Sequence, residues 1–128
     1  AFGHGLSYTT FKYGKVAVDK KNMEADGTIT VSVPVTNVGN REGAEVVQLY
    51  ISDLKSSLPR PVKELKSFSK VKLAPNETKM VTFTVNKEAL SFFDDAKHEW
   101  VAEPGKFEAL IGSSSTDIRG KVGFDYMN

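Results

Sequence analysis

The sequence predicts an all-β protein: two packed antiparallel sheets of about seven or eight strands, most simply an immunoglobulin-like sandwich. Three observations lead there. Apolar and polar residues alternate in short runs, clusters of turn-forming residues separate those runs at strand spacing, and helical patterning is confined to a single turn.

Taken in order, Phe11 and Tyr13 are followed across Gly14 by Val16 and Val18, a change of parity that reads as a bent or bulged strand. Thr28 to Val38 holds the cleanest alternation, with Ile29, Val31, Val33 and Val35 on one face, and reads as a half-buried strand. Pro34 within it has no amide hydrogen, which assigns it to an edge or a bulge. Glu45 to Ile51 carries Val47, Leu49 and Ile51 at one parity and Val46, Gln48 and Tyr50 at the other, the pattern of a central strand covered on both sides. Leu65 and Phe68 give way to Val71 and Leu73 with a second parity break.

Three further runs follow: Val81, Phe83 and Val85; Phe107, Ala109 and Ile111; Val122, Phe124 and Tyr126. Asn86 is placed to cap one helical turn through Lys87, Glu88 and Ala89. Turns are signalled at Asp26-Gly27, 37–43, Ala74-Pro75-Asn76, Asp94-Asp95, Glu103-Pro104-Gly105 and 113–117. The longest irregular segment, Ser52 to Val62, is stiffened by Pro59 and Pro61.

Composition narrows the function. With 128 residues and 40% hydrophobic content, the chain reads as one soluble domain able to bury its own core without a disulfide or structural metal. The absence of cysteine excludes thiolate chemistry and cysteine-ligated zinc. A net charge of +1 gives no electrostatic basis for nucleic acid or an anionic membrane as main partner, and no apolar run is long enough to cross a bilayer. The chain starts at Ala1 and shows no signal-peptide pattern, so it reads as a processed or excised fragment.

A glycosidase needs two carboxylates flanking a bond, one with a raised pKa. Asp94, Asp95 and Glu99 are the obvious acidic cluster, but they fall at a hairpin tip with Lys97 and His98, where solvent keeps both aspartates ionised. Ser113, Ser114 and Ser115 lack a nucleophile elbow, and His4 and His98 lack ligand spacing. Glycines around His4 have no strand before or helix after them to build a phosphate cradle. No catalytic residue, cofactor or metal is therefore assigned. Lys63, Lys66, Lys70 and Lys72 read as a solvated face that blunts sheet pairing. Asn76-Glu77-Thr78 is a glycosylation acceptor by pattern. Trp100, Tyr50 and Tyr126, with Phe92 and Phe93, are the aromatic candidates for a sugar platform, although 13 aromatics also suit a sandwich core.

Several segments resemble one known family. Phe2-Gly3-His4-Gly5-Leu6-Ser7-Tyr8-Thr9-Thr10-Phe11 resembles the junction between the α/β sandwich domain and the C-terminal fibronectin type III-like domain of family 3 glycoside hydrolases. Val35-Thr36-Asn37-Val38-Gly39 with Gly43, the run Glu45 to Asp53, Arg60-Pro61-Val62-Lys63-Glu64-Leu65-Lys66-Ser67-Phe68, and Glu103-Pro104-Gly105-Lys106-Phe107 follow in the expected order. Ala1 stands where proline is common and Ser67 where glycine is common. On this resemblance, residues 1–10 are a linker from an upstream domain and 11–128 the fibronectin type III-like domain.

The resemblance implies a parent β-glucosidase or β-xylosidase acting by a retaining mechanism, with its nucleophile and its acid/base residue on domains outside this sequence. It implies for this chain a non-enzymatic accessory role, packing against and stabilising the catalytic domains of the same parent chain, and a periplasmic or extracellular location. Phe2, Leu6 and Tyr8, an apolar tether stranded in solvent unless packed, together with Leu58 and Arg60, are the candidate interdomain contacts. The alternative is a carbohydrate-binding module holding oligosaccharide or polysaccharide near the active site, with Trp100, Tyr50 and Tyr126 as its platform.

Overall fold

The computed structural model describes residues 9–54 and 63–127. β4 (Ile29–Asn37) organises the first sheet. Its alternation puts Ile29, Val31, Val33 and Val35 wholly in the core, where each such side chain stabilises the fold by about 1.5–3 kcal/mol. β7 (Thr78–Val85) pairs antiparallel along one edge of β4, from Ile29 opposite Val85 to Thr36 opposite Thr78. Along the other edge lie β1 (Phe11–Tyr13) and then β2 (Ala17–Val18).

Pro34 explains the interruption between β1 and β2. It lies in the middle of a central strand rather than on an edge, and its missing N–H faces the gap. Its carbonyl still accepts from Gly14 N at 2.7 Å. A Cβ on Gly14 would collide with the Pro34 ring, so glycine is the residue that lets the chain pass. The parity change across Gly14 is thus two short strands and a break.

The second sheet has the order β3 (Asn22–Met23), β11 (Asp117–Tyr126), β10 (Gly105–Ser114), β5 (Gly43–Asp53), β6 (Glu64–Leu73). β5 is covered on both faces, every residue from Val46 to Ser52 being buried. β6 forms an edge, and its register against β5 slips between Leu49–Ser67 and Tyr50–Leu65, leaving Lys66 as the extra residue of a bulge. Ser67 keeps an ordinary negative φ and pairs with Leu49, so serine sits there without strain.

One pairing departs from the antiparallel expectation: β3 runs parallel to β11, with Asn22 opposite Asp125 and Met23 opposite Tyr126. The chain crosses from the first sheet to the second after β2, and a two-residue pairing is too short to show periodicity. With β8 (Phe92–Asp94) and β9 (Glu99–Val101), which form a separate hairpin, eleven strands are present among the described residues instead of seven or eight. The excess is all in strands of two or three residues.

α1 (Lys87–Leu90) is the expected single turn, with Asn86 Oδ1 accepting from Ala89 N at 3.2 Å and Leu90 fully buried. Between the sheets, Phe107 stacks on Phe124 with ring centroids 5.8 Å apart and meets Tyr126 edge-on at 6.4 Å. Asn37 is a buried polar hub at the end of β4. Its Nδ2 donates to Arg41 O (2.7 Å) and Leu73 O (3.0 Å), and its Oδ1 accepts from Gly39 N and Thr9 Oγ1 (each 2.9 Å). One side chain therefore ties the turn after β4 to the end of β6 and to the segment before β1.

Candidate functional site

The acidic cluster is a turn. Asp94 ends β8, and its Oδ1 accepts from Ala96 N at 3.0 Å and Lys97 N at 3.4 Å, while Asp95, Lys97, His98 and Glu99 are exposed around the hairpin tip. A half-buried carboxylate whose oxygen is taken up in closing its own turn, with no second carboxylate among the described residues facing it across a cleft, is not poised as acid or nucleophile. Ser113 donates to the Asp117 carboxylate with no histidine beside it. Among the described residues no group of three or more His, Asp or Glu side chains gathers as a metal site.

The aromatic candidates separate. Trp100 on β9 is 71% exposed and meets its cross-strand partner Phe93 edge-on, centroids 5.7 Å apart at 74°. Tyr50 and Tyr126 are buried and offer no open ring face, which corrects their place in the platform. Tyr50 lies on the doubly covered strand with its hydroxyl donating to Gln48 Oε1, and Tyr126 points between the sheets. The Phe92 side chain lies outside the described residues, as do the proposed interdomain contacts Phe2, Leu6, Tyr8, Leu58 and Arg60.

A polar constellation among the described residues joins the two sheets and was not legible from spacing. Tyr13 of β1 donates to Glu45 Oε2 at 3.2 Å. The Arg119 guanidinium lies over the Tyr13 ring, 5.0 Å from its centroid, while its Nε donates to Asp117 Oδ1 (2.8 Å) and its NH1 to Phe11 O (3.4 Å). Burial first, then the charge of Glu45, holds the Tyr13 phenol far above its ordinary range. Burial likewise raises Glu45, opposed by the Tyr13 hydrogen bond and Arg119. Hydrogen bonds from Arg119 and then Ser113 hold Asp117 below the usual carboxylate range. Every group here is engaged with another, so the cluster acts as a clasp between β1 and the second sheet.

The exposed surface carries large apolar side chains. Leu65 is 51% and Phe68 59% exposed on β6, and Met80 protrudes from β7. Leu65 and Phe68 pair with Tyr50 and Gln48, so both stand on the outer face of the five-stranded sheet.

With this geometry in view, a family model described as a fibronectin type III-like domain matches residues 45–115. The chain belongs to that family. This fibronectin type III-like domain is 57% identical over 98% of its length to a β-glucosidase of Bacteroides ovatus, of which it covers 17%. It is 48% identical over 92% of its length to a periplasmic β-glucosidase of Salmonella typhimurium, covering 15% of that protein. The crystal structure of a Listeria innocua β-glucosidase in complex with glucose superimposes with a TM-score of 0.87 at 36% identity, over 98% of the domain and 17% of that chain. The domain thus spans only about a sixth of the length of the β-glucosidases it matches.

Proposed function

We propose that the chain is a non-catalytic accessory module of a family 3 glycoside hydrolase of β-glucosidase type, packing against the catalytic domains of the same polypeptide and stabilising their arrangement. The observation that carries this reading is the pair Leu65 and Phe68, large apolar side chains directed outward from a sandwich that fills its core without them. The β-glucosidases it matches give the matching segment only 15–17% of their length, which leaves most of each chain to supply the covering surface. The name of the Salmonella relative supports a periplasmic or extracellular setting. The test is removal of the module from the parent enzyme. Thermal inactivation at a temperature several degrees lower, or loss of solubility, is expected; unchanged stability and activity would refute the reading.

The exposed indole of Trp100 favours a second reading, a sugar platform on the β8–β9 hairpin. Titration of the labelled domain with gluco- and xylo-oligosaccharides, followed by NMR, tests it. Saturable shifts at Trp100 and Phe93 would establish sugar binding, and none at millimolar ligand would dismiss it.

A further inference from the structure

The two outer sheet faces differ in chemistry. That of the first sheet presents Thr30, Ser32 and Thr36 of β4 beside Thr82 and Thr84 of β7, an ordinary solvated surface interrupted by Met80. That of the second presents Leu65 and Phe68 beside their cross-strand partners Tyr50 and Gln48, which are buried and joined by a hydrogen bond from the Tyr50 hydroxyl to Gln48 Oε1.

The bulge at Lys66 gives the face relief. It separates Leu65 from Phe68 and leaves between them a shallow depression of about 310 Å3, lined by these two residues with Lys66 and Ser67. A protruding apolar side chain would seat there. Around it the rim is basic. Lys63 and Lys70 are exposed or half-exposed and have no ionic partner among the described residues, whereas Lys66 is paired with Glu64 at 3.5 Å and Lys72 with Glu42 at 3.5 Å.

Charge selects the occupant. A second copy pairing along this edge would bring the same lysines against one another, which disfavours self-association. An apolar patch with acidic residues at its margin would match both the depression and the unpaired lysines.

We propose that the β6 margin of the outer face of the five-stranded sheet, centred on Leu65 and Phe68 and rimmed by Lys63 and Lys70, is the docking surface for an acidic-rimmed apolar patch on the remainder of the parent polypeptide. This rests on the accessory-module reading and adds to it which face is covered and by what chemistry.

Hydroxyl-radical footprinting of the isolated chain and of the intact parent enzyme tests it. Oxidation of Phe68 should fall by about fivefold or more in the parent, as burial in a dry interface requires, while Met80 on the opposite face stays reactive. Reversal of charge in the parent by Lys63→Glu with Lys70→Glu should return Phe68 toward the reactivity it has in the isolated chain. If Met80 or Trp100 is protected and Phe68 is not, the assigned face is wrong while the accessory reading stands. If no side chain of the module is protected, both fall. Concentration-dependent protection of Phe68 in the isolated chain would mean a second copy, and protection that survives charge reversal would remove the acidic rim; either overturns the proposal.

Discussion

β4 and β6 are both long strands with apolar residues at regular intervals, yet they use them in opposite ways. In β4 each apolar side chain at odd positions from Ile29 to Val35 is inside the sandwich, and the even positions carry hydroxyls and Pro34. In β6 only Leu73 is fully buried, and the larger pair, Leu65 and Phe68, stands outside. The contrast separates two kinds of hydrophobic residue. Those of β4 stabilise this domain, whereas Leu65 and Phe68 keep more than half of their surface exposed and leave that part for another surface to cover.

The largest break in that comparison is Ile29→Ala, which should cost about 3–4 kcal/mol of unfolding free energy in urea titration, as cavity formation at a fully buried site does. Asn37→Ala follows at about 2–3 kcal/mol, because Gly39 N and the carbonyls of Arg41 and Leu73 lose their partner. Gly14→Ala should cost about 1–3 kcal/mol through overpacking against Pro34. A double-mutant cycle with Pro34→Ala should recover most of that loss, and strict additivity would show that the collision is not the cause.

The smallest effect lies in the clasp between the sheets. Glu45 is raised from its ordinary value near 4.5, so the folded state binds its proton more readily than the unfolded state. Its contribution is most favourable at low pH and is lost as pH rises through the raised value. Glu45→Gln should therefore gain on the natural protein between about pH 4.5 and neutrality and converge with it below that range. Asp117, held low by Arg119, has the opposite sign: its stabilisation is present above the ordinary carboxylate range and is lost as pH falls through the lowered value. Parallel denaturation profiles for the natural chain and the Glu45→Gln variant across this range would contradict the assignment of Glu45.

Much of the fold was legible because alternation reports burial directly, as in β4, β5, β7, β10 and β11. The pattern that assigned both faces of β5 to packing already placed Tyr50 inside, and the run Val122, Phe124, Tyr126 placed Tyr126 with the core. Exposed rings were needed for a sugar platform, and burial prevailed at both sites. Trp100 lies on a three-residue strand, too short for parity to forecast its exposure. The Tyr13–Glu45–Arg119 clasp draws one residue from each of three strands in two sheets, so no local spacing announces it. Likewise β6 displayed its parity break in sequence, but only the register against β5 shows that Leu65 and Phe68 share the outer face.

The most direct measurement is the effect of Leu65→Ser with Phe68→Ser in two settings: the urea midpoint of this chain alone and the inactivation temperature of the parent enzyme. Unfolding free energy of the chain alone should move by no more than about 0.5 kcal/mol, as exposed positions do, while the parent should lose several degrees. Equal loss in both settings would make the pair part of the domain's own core, and no loss in the parent would show that nothing docks on β6.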